Sequence, residues 1–276
     1  MLRIDSHQHF WKFDSERDGW ITDEMQKIRR DFLPSDLELL LKQNSFGGCI
    51  AVQADQSELE NTFLSDIADK NNFVKGIVGW VDFRNVYVQD RLEHYSQFKK
   101  FKGFRYILQA EKHRDLMLSD PFKNFIRLLG RFNFTYDILI LPDQLKFAKK
   151  LCKAYPQQKF VIDHLAKPSL KNKNIHEWKE DMKHFKDLKN VSCKVSGFVT
   201  EGDWNCWKPT DFYPYFDVVV NTFGTDRLMF GSDWPVCLLA AELSKVVEVV
   251  EEYFAAFTQN EQVKVFSGNA IKFYNI

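Results

Sequence analysis

The chain has 276 residues, with 38 Lys+Arg against 38 Asp+Glu, 45% hydrophobic residues, 26 Phe, 5 Cys, 12 Gly and 8 Pro. Its formal net charge of zero supplies no general pull toward nucleic acid or anionic lipid, both of which call for clustered Lys and Arg. Low Gly and Pro exclude a disordered, collagen-like or low-complexity chain, and at this length roughly 75% of the unfolded surface can be buried without help from disulfides or a structural metal.

Cys49, Cys152, Cys193, Cys206 and Cys237 are odd in number, scattered and never paired as C-x-x-C, which points to a reducing compartment. No apolar run approaches the ~18 residues of a membrane span, and Met1-Leu2-Arg3-Ile4-Asp5 reaches a charge too early for a secretory segment. A cytoplasmic location is expected, with no nucleic acid or membrane partner.

In chain order, the β-type runs are Leu2 to Ser6, Gly48 to Gln53, Val74 to Asp82, Gly103 to Leu108, Thr135 to Ile140, Phe160 to His164, Val191 to Ser196 and Leu228 to Gly231. Helical signals fall between them. Ser35-Asp36-Leu37-Glu38 and Ser57-Glu58-Leu59-Glu60 fit the capping box, in which a Ser oxygen and a Glu carboxylate satisfy free backbone N–H groups. Asp120-Pro121 offers a cap before Pro in the first turn, followed by Phe122, Phe125, Ile126 and Leu129 on one face. Leu243, Val247, Val250, Phe254 and Phe257 form a helical stripe that implies core packing only.

Strand and helix alternating eight times over this length is the arithmetic of a (β/α)8 TIM barrel, an α/β fold, here one domain over 1–276. The alternative, an open doubly wound sheet, lacks the glycine-rich turn after the first strand that a nucleotide phosphate requires. A barrel places function at the C-terminal ends of its strands.

Three strand ends carry candidate chemistry. In Asp5-Ser6-His7-Gln8-His9, alternation puts His7 and His9 on one face with Asp5 deeper on the same side, able to hold one divalent metal or an oxyanion; two unrelated surface histidines are the plainer reading. In Ile162-Asp163-His164 only one side chain can face inward by the same rule; His164 is the expected one, with Asp163 supporting a neighbouring imidazole or the backbone. Asp233 closes the last strand, beside the first in a closed barrel, although an Asp there also suits a helix cap. Arg105 and Lys194 sit inside apolar strands, so each should meet a carboxylate or a substrate; Asp137 and Asp82 are the partners considered for Arg105. His94, His113, His176 and His184 read as exposed.

Together these segments resemble the amidohydrolase superfamily. The motifs Asp5-Ser6-His7-Gln8-His9-Phe10-Trp11, Gly103-Phe104-Arg105-Tyr106, Asp163-His164-Leu165-Ala166-Lys167-Pro168, Lys194-Val195-Ser196-Gly197, Gly231-Ser232-Asp233-Trp234-Pro235 and Gly268-Asn269-Ala270 look like its lactonase branch, from Ile4 to Tyr274. That branch acts on L-fucono- and L-rhamnono-type sugar lactones and on 2-pyrone-4,6-dicarboxylate. The resemblance implies a hydrolase taking a small-molecule lactone, with Asp233, His164, His7 and His9 catalytic. Arg105, Trp11, Lys194, Gln53 and Trp234 are the expected substrate contacts, with Trp20, Trp204 and Trp207 also at the mouth. If zinc is present, His7, His9 and Asp233 are its expected ligands, with His164 a fourth ligand or an oxyanion donor. Val191 to Ser196 lacks the further histidine of two-metal members, so one divalent metal or metal-free catalysis is expected. A metal-dependent, non-oxidative decarboxylase is the competing reaction. Oligomeric state is not specified.

Overall fold

The computed structural model describes residues 3–171 and 174–276. Leu2, which opens the first predicted strand, lies outside the described residues. The strands are β1 (Arg3–Gln8), β2 (Phe46–Val52), β3 (Val74–Gly79), β4 (Phe101–Ile107), β5 (Thr135–Leu139), β6 (Phe160–Ile162), β7 (Val191–Val195) and β8 (Leu228–Phe230). They form one sheet in sequence order, each parallel to the next. All eight sequence-derived strands are present. Apart from the first, each stops short of its predicted end, most of all the third, which ends at Gly79 and not Asp82, and the sixth, which ends at Ile162 and not His164.

The sheet closes through an irregular seam. Beyond β8, the Asp233 N–H donates to the His7 carbonyl at 2.8 Å and the His9 N–H to the Trp234 carbonyl at 2.7 Å. All four are residues expected in the site, and they thus also join the first strand to the last.

The helices are α1 (Pro34–Gln43), α2 (Glu58–Lys70), α3 (Val88–Ser96), α4 (Asp120–Arg131), α5 (Leu145–Ala154), α6 (His176–Lys183), α7 (Phe198–Glu201), α8 (Tyr213–Phe223), α9 (Leu243–Phe254), α10 (Gln259–Val263) and α11 (Asn269–Tyr274). The Ser57 hydroxyl caps α2 by accepting from the Glu60 N–H at 3.3 Å, but the Glu60 carboxylate takes the Ala54 N–H at 2.6 Å and the Asp55 N–H instead of closing the box. The Ser35 box is not formed. Pro34 already starts α1, and Asp36 accepts from the Leu33 N–H at 2.9 Å. At α4, Ser119 stands at the cap position in place of Asp120, and the Phe122, Phe125, Ile126 and Leu129 face is buried as its spacing predicts.

Two apolar layers result. The larger lies between strands and helices, where outward residues such as Cys49, Ala51, Phe104 and Val195 meet helix faces. The smaller fills the barrel: Ile4, Ile50, Val52, Val78, Val161 and Met229, closed from below by Ala270, Phe273 and Tyr274 at the C-terminus. Each such aliphatic side chain contributes ~1.5–3 kcal/mol by leaving water, so the floor is a packed core and not a pore. Among the described residues, no helix is long and apolar enough to cross a membrane.

Candidate active site

The polar side chains gather above that floor. His7 projects inward, but not by simple alternation from Asp5. Between Asp5 and Gln8, β1 has one more residue than β2, since Asp5 pairs with Cys49 and Gln8 with Ala51. With Ile4 in the barrel cluster, the bulge flips the parity and brings His7 inside. The expectation that Asp5 lies below His7 on one face is therefore corrected. Asp5 accepts from the His7 N–H (3.1 Å), the Ser232 N–H (2.9 Å) and the Ser232 hydroxyl (2.5 Å), which pins β1 to the segment after β8. Burial pushes its carboxyl up to about 6, against those hydrogen bonds.

A second correction concerns Asp163 and His164. Both face the site, because the strand ends at Ile162 and His164, Leu165, Ala166 and Lys167 take φ between 49° and 57°. Alternation holds only while a strand continues. The left-handed turn leaves Asp163 inside and swings His164 in above it. Asp233 has φ 57° as well, and its carboxylate faces imidazoles instead of capping a helix.

The centre consists of four groups. His7 Nε2 lies 3.1 Å from His9 Nε2 and 3.7 Å from Asp233 Oδ1. His9 Nε2 is 3.5 Å and His164 Nε2 3.8 Å from the same oxygen. The ligand atoms of His7, His164 and Asp233 all fall within 4.8 Å of one another.

Their protonation follows from their partners. His9 Nδ1 is 2.7 Å from the Val52 carbonyl, which only accepts, so Nδ1 carries the proton and Nε2 a lone pair. His164 Nδ1 meets the Ser196 hydroxyl at 2.9 Å. Burial pulls all three imidazoles below their usual range, His7 and His164 well below it, with the Lys194 charge adding to the effect on His7. Burial alone would raise Asp233, but His164 and His9 outweigh it and hold the carboxyl below its ordinary value. Neutral imidazoles around an ionised carboxylate are the state a metal ion takes up.

Beneath His7, Lys194 is fully buried, with Nζ 2.5 Å from Asp137 Oδ2, 3.0 Å from Asp163 Oδ1 and 3.1 Å from His7 Nδ1. Of its two expected roles, the internal ion pair is the one formed in the structure. Arg105 Nη1 pairs with Asp163 at 3.1 Å, and Nε and Nη2 bond the Gln53 side-chain carbonyl at 3.1 and 2.8 Å. Its partner is thus neither Asp137 nor Asp82. Lys194, His7 and Arg105 outweigh burial at Asp163 and hold it well below the carboxylate range. Among the described residues, Gln53 Nε2 is a buried donor without a partner.

Trp11 donates from Nε1 to the Arg30 carbonyl at 2.9 Å and packs on Trp20 and Phe32. It lines a cavity of about 200 Å³ with Phe10, Arg17, Asp18 and Glu60, a cavity that His7, His9, His164 and Asp233 do not line. Trp234 is buried between Phe10 and Phe32 and shapes the seam without facing solvent. Trp204 and Trp207 are half-buried in the segment between α7 and α8. His94, His113, His176 and His184 are exposed as expected. The sequence reading missed Ser196 and Tyr274; a hydroxyl beside a strand end and an aromatic at the C-terminus carry no local signal for a site.

Gly197 shows how tightly His164 is held. Its φ is +63°, and a Cβ there would lie 2.5 Å from His164 Nδ1 and 2.7 Å from Cγ. Gly197→Ala is expected to displace the imidazole and to cost ~1–2 kcal/mol of backbone strain as well. A steady-state assay with a urea melt would show it as a fall in kcat larger than the stability loss explains; unchanged kcat would refute the contact.

The profile of the Amidohydrolase family matches residues 4–276, and the chain belongs to that family. It is 33% identical over 284 residues to an L-fucono-1,5-lactonase of Burkholderia multivorans, with 99% of this chain and 96% of that one covered. It is 30% identical over 206 residues to an L-rhamnono-gamma-lactonase of Scheffersomyces stipitis, covering 66% of this chain and 61% of that one. A crystal structure of a Burkholderia multivorans amidohydrolase with bound Zn superposes with a TM-score of 0.97 at 33% identity over 100% of both chains.

The residues present fit a divalent cation. His7 Nε2 faces the protonless His9 Nε2 at 3.1 Å, close to the ~3.3 Å that separates ligand nitrogens on a tetrahedral ion with bonds of about 2.0–2.1 Å. Two lone pairs at that distance repel unless a cation or a proton lies between them. Among the described residues, no Lys or Arg pairs with Asp233, whose ion-pair neighbours are imidazoles.

Proposed function

We propose that this protein hydrolyses the ring ester of a sugar lactone, with an L-fucono-1,5-lactone the first substrate to try and an L-rhamnono-type lactone the second. The carrying observation is the convergence of His7, His9, His164 and Asp233 at the mouth of a barrel that resembles an L-fucono-1,5-lactonase along nearly its whole length. Ring opening needs a base for water, a donor where the carbonyl oxygen gains charge, and a proton for the departing alkoxide. Asp233 accepts the proton from water and returns it to the alkoxide. Gln53 Nε2, the unpartnered buried donor, and the Arg105 guanidinium stand on the side of the growing negative charge.

His7, His9, His164 and Asp233 would hold the ion, with zinc the proposed metal; when bound it supplies Lewis acidity toward a carbonyl oxygen and toward water. A dianionic pyrone finds Lys194 and Arg105 already paired with carboxylates, which favours a neutral polyhydroxy lactone. The reducing cytoplasm is the proposed compartment, in keeping with five cysteines in thiol form.

The test is a pH-indicator screen of L-fucono-1,5-lactone, an L-rhamnonolactone and 2-pyrone-4,6-dicarboxylate, each before and after chelation with metal content measured. Acid release is expected first on the fucono-type lactone, with loss on chelation and recovery on adding zinc. Full activity after chelation would leave the lactonase reading intact and remove the metal. Silence on every lactone, with carbon dioxide released from a hydroxybenzoate, would replace the reading by the decarboxylase.

A further inference from the structure

On the middle strands, the inward positions nearest the mouth are Trp80, Ile107 and Leu139. In β3, Val78 fills the barrel while Ile77 and Val81 belong to the outer layer, so alternation turns Trp80 inward. In β4, Phe104 faces out and Arg105 in, which turns Ile107 inward; in β5, Ile138 faces out and Asp137 in, which does the same for Leu139. Leu139 is buried and Ile107 half-buried, and neither belongs to either apolar layer.

Trp80 lies one residue past the end of β3, but its backbone is held as a strand holds it. The buried Asn61 side chain, on α2, accepts from the Trp80 N–H at 2.9 Å and donates to the Trp80 carbonyl at 2.7 Å. It takes the place of a further β2 residue, the pairing having reached Val52 with Val78. A Cβ on Gly79 would lie 2.6 Å from Asn61 Oδ1, so Gly79 faces α2 and Trp80 the opposite side. Gly79 pairs with Phe104, which sets Trp80 beside Arg105, and Ile107 pairs with Leu139. Across a closed barrel of eight strands in sequence order, β4 stands opposite β8, and so this apolar wall faces Asp233.

The wall has one polar point. The Trp80 ring is half-buried and touches the larger apolar layer, but its Nε1 is a buried donor without an acceptor among the described residues. On the neighbouring strand Gln53 Nε2 is a second such donor. A buried N–H is costly to leave unpaired, and an indole N–H can only donate, so the matching group is an oxygen on a ligand. A polyhydroxy ring offers hydroxyl oxygens and C–H faces together, which suits an aromatic side chain with a polar edge.

We propose that Trp80 is a specificity-determining residue for the sugar lactone: its indole N–H donates to a lactone hydroxyl, and its ring, with Ile107 and Leu139, covers the C–H face of the substrate across from Asp233. The assignment rests on the sugar-lactone reading and adds how a polyol is told from a bare ring ester. A site that hydrogen-bonds a substrate hydroxyl discriminates against the analogue that lacks it.

The test uses the full chain with Trp80→Phe, which keeps an aromatic body and deletes the N–H. KM for L-fucono-1,5-lactone is expected to rise ~3–10-fold, the worth of one neutral hydrogen bond, with kcat within about twofold. The comparison is δ-valerolactone, the same ring ester without hydroxyls, followed as substrate or as competitive inhibitor; its constant is expected to stay within about twofold. In wild type, the indole N–H resonance that Trp80→Phe removes is expected to shift when L-fuconate, the acid released by ring opening, is added. An unchanged KM, equal changes for the two lactones, or a resonance that does not move overturns the assignment, whatever the melting temperature of the variant. Hydrolysis of neither lactone by wild type overturns the sugar-lactone reading, and the assignment with it.

Discussion

Asp233→Asn is expected to lower kcat by ~10³-fold while leaving lactone binding measurable, the size of effect seen when a positioned acid–base group is lost. The substituted amide keeps the shape of the side chain and can still lie against His9 and His164. It cannot take a proton from water or return one to the alkoxide. Asp233 is suited to that task because its neighbours outweigh the cost of burial and keep it ionised. Steady-state kinetics with metal content measured on the same samples separates the two ways the change could act. Lost turnover at full metal content assigns the loss to the proton. Turnover near wild type would remove Asp233 from the mechanism.

Lys194→Met is expected to be the most damaging change to stability, by ~3–5 kcal/mol, because it leaves buried carboxylates without their cation. Asp137 and Asp163 both lean on the ammonium, at 2.5 and 3.0 Å, and Asp163 keeps Arg105 besides. Asp137, fully buried, is the vulnerable point of the network. Burial already raises its carboxyl to about 6 in the folded protein, with Lys194 and Tyr274 opposing that shift. Without Lys194 its folded pKa rises further above the unfolded value of 3.8. An acid whose pKa is raised on folding favours the folded state while protonated and loses that contribution as pH climbs through the folded pKa. The variant's deficit should therefore be larger at pH 8 than at pH 5. Urea denaturation at the two pH values checks both size and sign; wild-type stability at pH 8 would mean the ion pair contributes nothing.

Much of this molecule was legible in the order of its residues. The β-type runs have the right composition and length to lie as eight neighbouring strands, and the connecting stripes, such as Phe122, Phe125, Ile126 and Leu129, bury as their spacing requires. His7, His9, His164 and Asp233 were legible because a barrel brings the C-terminal ends of all its strands to one face, however distant they are in sequence. Side-chain direction at three of these ends was less legible. His7, His164 and Asp233 depart from alternation through a bulge or a positive φ, which are set by closure of the sheet and by the turn that follows, and not by the strand's own residues.

Sequence by itself thus determined the architecture, the family and the four groups at the mouth, since these depend on periodicity and on residue type at strand ends. Tertiary structure alone decided the partners of the buried charges. It joined Lys194 to Asp137 and Asp163, Arg105 to Asp163 and Gln53, and Tyr274 to Asp137 across 137 residues of chain. An unpaired charge in a barrel interior is costly, so each had to find a counter-group. Several carboxylates were possible partners in sequence, and only the packed arrangement of strands and floor selects which one each charge meets.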